Sequence, residues 1–471
     1  MVLSPEMNAA VAARHSRTSE GLDHILGLID RKGDENVAID SVFKFVDFGH
    51  KSILDLVPIS IHIEGVSIIL VQMLWSMVHT GGGQETSTRY CRMSADARWS
   101  PYFTDRDHKR RWEKAMEVTI DAYEKACEFW KLVADTDPSV VGITPDMPPG
   151  KANRLKNNFV FDRARPAIPL ACLTNVNITA WGSEWVKIAS MLNSSPMAEA
   201  RLLAKKVEDE LKLGAPRLAR HTGRRLAAET KWAQMLGVKD GLQRHAANAA
   251  RVRSLVEAQE FAFLNENSEV DRAATFVQFN PFELDTLKEA QVNECMSTRE
   301  NRYDVIGSPL DEISVRYGWN RISHAELRDV NRHRPGRRVI DYAPRGFYMA
   351  LDQIALYVSK STSVEVFNAS QKLLPVLGNA GVLMYDLCAD ALKGEMGSPW
   401  DFLYSATLGT QFGFQHASNL GFLIYECELR TGPGVHYRYS QHYNETCDAL
   451  IDAIPSLGIH LLRGSSEPES L

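Results

Sequence analysis

Ile59-Ser-Ile-His-Ile-Glu-Gly-Val-Ser67 alternates apolar and polar residues as a half-buried strand does, then passes at Ile68 into an apolar helical run ending at Met77. The whole stretch from Val57 to Val78 is interrupted by His62, Glu64 and Gln72. It therefore reads as a strand leading into a buried helix, not as a membrane span. The passage recurs: Ile313-Ser-Val-Arg-Tyr-Gly318 repeats the alternation and is followed by Ile322 to Val330. Aligning the two Ile-Ser pairs gives an offset of 313 − 59 = 254. A second pair of landmarks, Met191-Leu-Asn-Ser-Ser-Pro196 and Glu428-Leu-Arg-Thr-Gly-Pro433, gives 433 − 196 = 237. Two landmarks in the same order half a chain apart point to a duplicated domain whose loops differ in length. Copy one then spans 1–235 and copy two 236–471.

The composition sets the class. In 471 residues, 44% hydrophobic and 24% charged is the balance of a globular chain, which excludes collagen-like and mostly disordered proteins. Lys+Arg 53 against Asp+Glu 59, a net charge of −6, argues against a protein that coats nucleic acid or an anionic membrane. It leaves room for a local basic pocket. Seven widely spaced cysteines without a C-x-x-C pair read as reduced thiols in a cytoplasmic protein, with no metal site expected. The first eighteen residues carry Glu6, Arg14 and Arg17 and no apolar core, so no secretory signal is expected. Trp112, Met116, Ile120, Tyr123, Cys127 and Trp130 recur at helical spacing and predict one buried stripe. The charged stretch Arg201 to Arg253 reads as a helical connector whose Arg217, Arg220, Arg224 and Arg225 form a solvated face, and the tail from Arg463 reads as disordered.

Two segments concentrate chemistry. Gly81-Gly-Gly-Gln84-Glu85-Thr-Ser87-Thr-Arg89-Tyr90 joins a glycine run to an acid, a hydroxyl and an arginine. Such a loop either lets backbone N–H groups and Arg89 cradle a phosphate or is an ordinary flexible turn. Arg332-His333-Arg334-Pro-Gly-Arg337-Arg338 crowds cationic groups at the end of a helical pattern. It reads either as a solvated basic turn or as an anion site, since packed like charges repel unless something negative sits among them.

Together with Gly49-His50, these segments resemble the flavin-dependent thymidylate synthases, the ThyX family. Its signature is R-H-R-x-x-S-x-N-E-x-S-x-R-Y, preceded by a G-H motif and a strand–helix passage. Here the signature looks split. Gln84 to Tyr90 matches the second half in copy one, with Gln for Asn, and Arg332-His333-Arg334 matches the first half in copy two. Subtracting 254 places Val78-His79-Thr80 where copy one should carry the two arginines. Ala164-Arg165-Pro-Ala-Ile-Pro169 resembles the family's A-R-x-x-L-P nucleotide ligand, where copy two offers Phe402 or Leu403. Asn419 and Arg430 resemble its flavin-contacting Asn and phosphate-contacting Arg, where copy one offers Gly182 and Asn193. His436 resembles its histidine near the flavin. Gly49-His50-Lys51-Ser52 resembles its G-H-x-T, with Asp55 at the acidic flavin contact.

The resemblance implies an α+β fold: two tandem domains, each a small antiparallel sheet packed with helices, helix-rich overall. It implies an enzyme methylating dUMP at C5, with FAD as cofactor and NADPH and methylenetetrahydrofolate as co-substrates. The sites would be composites of both copies in a homodimer that imitates the family's tetramer. Arg89, Arg165 and Arg430 would contact the nucleotide as catalytic and substrate-binding groups, alongside Gln84, Glu85, Ser87 and Tyr90. His50, Ser52, Asp55, Arg332, His333, Arg334, Asn419 and His436 would hold the flavin. The departures from the signature leave two alternatives, another pyrimidine nucleotide such as UMP or dCMP, or a non-catalytic flavin- or nucleotide-binding paralogue.

Overall fold

The computed structural model describes residues 3–31, 34–47, 51–93, 97–234, 238–265 and 275–464. It resolves into two compact units, one of Met1–Thr86 and Leu173–Met235, the other of Ser87–Cys172 and Leu236–Leu471. The fold is α+β, 61% helical with two small antiparallel sheets. Space and sequence thus divide the chain differently. Residues 87–172, numbered with copy one, fold with the second unit, because their long helix finds its apolar partner there. None of the described helices is long and apolar enough to cross a membrane. His50 and most of the tail fall outside the described residues.

The first unit is built on β1 (Pro58–Ser67), β2 (Gly81–Glu85) and β3 (Leu173–Trp181), in the order β1-β3-β2. Ser67 ends β1 and caps the next helix: its Oγ accepts from Leu70 N at 3.2 Å, and its own N–H and O–H donate to the Glu199 carboxylate at 2.7 and 2.6 Å. Helix Ile68–Met77 is apolar around its whole circumference and accordingly buried on nearly every side. The glycine run is not a loop but strand β2. Gly81 and Gly83 have φ of +141° and +154°, and a Cβ at either would run into the β3 carbonyl oxygens of Thr179 and Asn177, so only glycine permits this pairing. Arg217 also departs from expectation. It lies in no solvated face but donates to Glu6 at 3.0 Å and Asp40 at 2.8 Å, whereas Arg220, Arg224 and Arg225 are exposed. The connector itself is helical but interrupted, the first piece being Ala198–Gly214 and the last Val238–Glu257.

The second unit holds β4 (Thr275–Phe279), β5 (Ser314–Ser323), β6 (Arg337–Phe347) and β7 (Thr410–Asn419), in the order β4-β5-β7-β6. Helix Arg106–Thr136 starts at an Asp105 cap and turns its stripe of Trp112, Met116, Ile120, Tyr123, Cys127 and Trp130 inward, all six buried. It packs against helices Val364–Leu392 and Pro149–Ala164. Ser323 ends β5 as Ser67 ends β1. Here the cap closes on itself, with Ser323 N–H donating to Glu326 at 2.8 Å in a capping box.

The strands of the two sheets share their bulge. Between β1 and β3 the register slips between Ile63 and Val66, and between β5 and β7 it slips between Trp319 and Ile322, an offset of 319 − 63 = 256. The far ends agree: Pro58 pairs with Trp181 as Ser314 pairs with Asn419, giving 419 − 181 = 238. The offsets read from the Ile-Ser and Pro landmarks, 254 and 237, are therefore corrected by two residues and one. The position equivalent to Asn419 is Trp181 rather than Gly182, and that equivalent to Arg430 is Leu192 rather than Asn193. Each of Trp181 and Asn419 stands at the N-cap of the helix that follows its strand.

Candidate functional site

Helix Pro149–Ala164 delivers Asp162 and then, at its C-cap, Arg165. The turn after β2 delivers Thr88 and Arg89, helix His324–Val330 delivers Arg328 and Asp329, and helix Leu420–Thr431 delivers Arg430 in its last turn. All of these lie in the second unit, and they meet. Arg89 forks onto Asp162, Nε to Oδ1 at 2.7 Å and Nη2 to Oδ2 at 2.8 Å, and also reaches the Gly434 carbonyl at 3.1 Å. Arg165, 1% exposed, donates to Asp329 at 3.3 Å and Thr88 at 3.4 Å, and Arg328 donates to the same Thr88 hydroxyl at 3.1 Å. Arg430 donates from Nε to His333 Nε2 at 2.7 Å and from Nη2 to the Asp329 carbonyl at 3.2 Å. His436 caps helix Tyr437–Ala453 and holds the Asp162 carbonyl at 3.1 Å through Nε2.

The electrostatics of this cluster are one-sided. Burial disfavours the Asp329 carboxylate, but Arg165, Arg430, Arg89 and Arg328 hold its pKa below the ordinary value, so it is ionised. Burial likewise works against the Arg89 charge, and Asp162 more than reverses it. The histidines go the other way. Burial, reinforced by the Arg430 charge, pushes His333 down to about 3, and burial with Arg165 and Arg89 pushes His436 well below its usual value. Both are neutral at neutral pH, and a neutral His333 is what leaves Nε2 free to accept from Arg430. Four guanidiniums, those of Arg165, Arg430, Arg89 and Arg328, thus gather around Asp329. Arg165 Nε is buried and finds no partner among the described residues.

A cavity of about 410 Å³ opens beside this cluster, lined by Arg89, Arg302, Leu429, Arg430, Tyr439 and the Pro433–Val435 turn. A second, of about 480 Å³, has aromatic walls in Tyr303, Phe422 and Tyr425, with Asn419, Asp311 and the Pro335-Gly336 backbone around them. Both volumes lie in the range of small-molecule sites, roughly 300–1,000 Å³. The Phe422 ring meets the edge of His333, centroids 6.1 Å apart, so the wall of one cavity touches the histidine that orients Arg430 in the other. No cysteine lines either cavity.

The residues singled out from sequence fall into three groups. Arg89, Arg165, Arg430, His333 and His436 converge in the arginine cluster. The Ser87 hydroxyl joins them only by accepting the Arg89 N–H at 3.2 Å, and Tyr90 is 63% exposed. Asn419 caps its helix through Phe422 N at 2.8 Å and faces the aromatic cavity. Arg332 and Arg334 flank buried His333 and are half-buried, so the basic run is not a solvated turn, and Arg338 within it is buried against Asn331. Gln84, Glu85, Ser52 and Asp55 belong to the first unit, where Glu85 accepts from Trp75 Nε1 at 3.3 Å and Asp55 from Ser183.

Sequence reading missed Asp162, Asp329, Arg328 and Asp311. Asp162 stands three residues before Arg165 and Asp329 three before Arg332, on helical pieces where such spacing places side chains together. The corrected offset of 256 would have found Ser308 and Asp311, the counterparts of Ser52 and Asp55. The acidic member of that pair in the second unit is the one beside Asn419.

The profile of the Thy1 family, described as thymidylate synthase complementing protein, matches residues 2–217. The match contains the first unit nearly to its end and also the segment that supplies Arg89, Asp162 and Arg165 to the second. Among curated proteins, none matches this chain. Residues 2–217, a little under half of the chain, are thus similar to the Thy1 family of thymidylate synthase complementing proteins.

Proposed function

We propose that the second unit is a flavin-dependent site that methylates a pyrimidine nucleotide, dUMP, at C5, with segment 87–172 completing a site whose other residues come from copy two. One observation carries this reading: Arg89, Arg165, Arg328 and Arg430 gather around Asp329, and two of them, Arg89 and Arg430, line a cavity of about 410 Å³. A buried excess of positive charge is costly without an anion, and a nucleotide monophosphate supplies about −2. The shared bulge and strand order of the two sheets support a tandem duplication behind this arrangement.

The residues at hand suit such a reaction. Guanidinium stays charged at any working pH and pairs bidentately with phosphate, and a fixed positive charge beside a uracil favours negative charge developing on the ring. Asp162 and Asp329 fix Arg89 and Arg165, and neutral His333 fixes Arg430, so these groups are held in place before a ligand arrives. The ThyX family is flavin-dependent, and the aromatic cavity fits a flavin by its donor set. Tyr303, Phe422 and Tyr425 offer flat apolar faces, while Asn419, Asp311 and the Gly336 backbone offer hydrogen bonds. A bound flavin would supply the reducing equivalents, replenished by NADPH, with methylenetetrahydrofolate giving the carbon. A protein nucleophile is not needed, in keeping with cavities that no cysteine lines. In a homodimer the family's tetramer of domains would be restored with two chains.

The test is the visible spectrum of the purified protein after incubation with FAD and desalting, titrated with dUMP. A retained flavin band that shifts with dUMP is expected. A band that answers only to UMP or dCMP reassigns the nucleotide. No retained flavin overturns the reading.

A further inference from the structure

Arg302 belongs to none of the motifs. It is 7% exposed and lines both cavities, the aromatic one beside Asn419 and the cationic one beside Arg430. Among the described residues its guanidinium makes no hydrogen bond or ion pair, and its nearest ring, Tyr303, lies 6.0 Å from the guanidinium carbon. The contrast with Arg299, one turn earlier in the chain, is sharp. Arg299 is as deeply buried and forks onto Glu428 at 3.0 and 2.6 Å. An arginine buried to this degree, whose guanidinium has no protein partner among the described residues and faces cavity space, is placed to be compensated by an anion there. The side chain lines both cavities, so a group that enters them can compensate it.

We infer that Arg302 binds a phosphate group of a ligand at the junction of the two cavities, a contact outside the family's motifs. The anion claim stands on the burial of Arg302. Which phosphate it takes, that of the nucleotide or the pyrophosphate of a dinucleotide flavin, rests on the function proposed above.

The probe is inorganic pyrophosphate, read as the melting temperature of the full chain in wild type, Arg302→Gln and Arg302→Lys. Pyrophosphate should raise the wild-type melting temperature most, that of Arg302→Lys less, and that of Arg302→Gln least, Arg89 and Arg430 remaining in the cavity. Should Arg302→Gln fail to fold, Arg302→Lys, with its charge but no fork, carries the comparison by a weaker apparent affinity. A wild type indifferent to pyrophosphate, or variants that respond as it does, overturns the proposal. The source follows from paired ligands. The affinity gained in going from riboflavin to FAD, or from deoxyuridine to dUMP, should fall about tenfold to a hundredfold in Arg302→Gln for whichever phosphate sits there. A protein that binds no flavin but loses its pyrophosphate response with Arg302 would sink the flavin reading and keep this one.

Discussion

Replacing Asp162 by Ala isolates the charge argument. Its carboxylate takes both forks of Arg89, at 2.7 and 2.8 Å, and the two side chains are 10% and 8% exposed. Without it Arg89 keeps one neutral acceptor, the Gly434 carbonyl, in a region that also holds Arg165, Arg328 and Arg430. Breaking one side of a buried ion pair costs about 3–5 kcal/mol, chiefly because the remaining charge is left uncompensated. The cluster also loses one negative charge. His436 is untouched, because it holds the main-chain carbonyl of Asp162 and not the side chain. Two results should follow in urea unfolding monitored by tryptophan fluorescence. Asp162→Ala should lose about 3–5 kcal/mol, and the double variant with Arg89→Met should recover much of that loss, because the stranded charge is gone. Added phosphate should also restore more stability to Asp162→Ala than to wild type. A loss below about 1 kcal/mol, or strictly additive single and double variants, would refute the electrostatic account of the cluster.

Acidification should weaken the fold well above the carboxylate range. Burial holds His245, His324 and His333 at pKa values of about 3, below their unfolded value of about 6.5, so the unfolded chain takes up protons first. The stability they contribute is complete above pH 6.5 and falls toward pH 3 by about 1.4 kcal/mol per histidine per pH unit. A urea midpoint unchanged between pH 7.5 and 5.5 would contradict this. Arg430→Lys should abolish turnover as fully as Arg430→Ala, since an ammonium cannot hold His333 and the Asp329 carbonyl in one plane, and near-normal kcat in the Lys variant would show that charge alone suffices. Gly336→Ala should destabilise by more than 1 kcal/mol, because Gly336 has φ of +88° and a Cβ there would meet the Ala417 carbonyl oxygen, and an unchanged urea midpoint would show that the turn relaxes at no cost.

Local signals carried the fold a long way. Alternation across Ile59–Ser67 and the apolar run after it yielded β1 and its helix, and the six-residue stripe yielded the face of helix Arg106–Thr136. The glycine run misled. In sequence Gly81 to Gly83 looks like a loop, and only the β3 carbonyls show that the missing side chains admit a strand. The offsets misled for a similar reason: the Ile-Ser pair is a matter of residue type, whereas the bulges at Ile63/Val66 and Trp319/Ile322 are backbone features that share no residue type, the first holding Gly65 at φ of +66° and the second Asn320-Arg321. Of the cluster, Arg89, Arg165 and Arg430 were legible because they fall in stretches that resemble a family motif, whereas Arg328 falls in none. Their carboxylate partners were not, because Asp162 and Asp329 acquire meaning only when the segments carrying Arg89 and Arg165 are folded against them.

The division between the units explains the broken signature better than sequence order does. It falls between Thr86 and Ser87, inside the motif, leaving Glu85 on Trp75 in the first unit and sending Arg89 to Asp162 in the second. The apolar face of helix Arg106–Thr136 is what carries that segment across, since it covers Val364–Leu392, and Arg165 arrives with it at Asp329. An arginine held in this way answers to the charge balance of the second unit, whichever half of the chain encodes it. Leu403, at the position that the 238 offset pairs with Arg165, is buried core. The same reasoning makes Arg430 without counterpart at Leu192, which is buried among the apolar residues of its helix. On the function proposed above, one site in the second unit would need arginines from both halves of the chain, Arg89 and Arg165 from the first and Arg430 from the second.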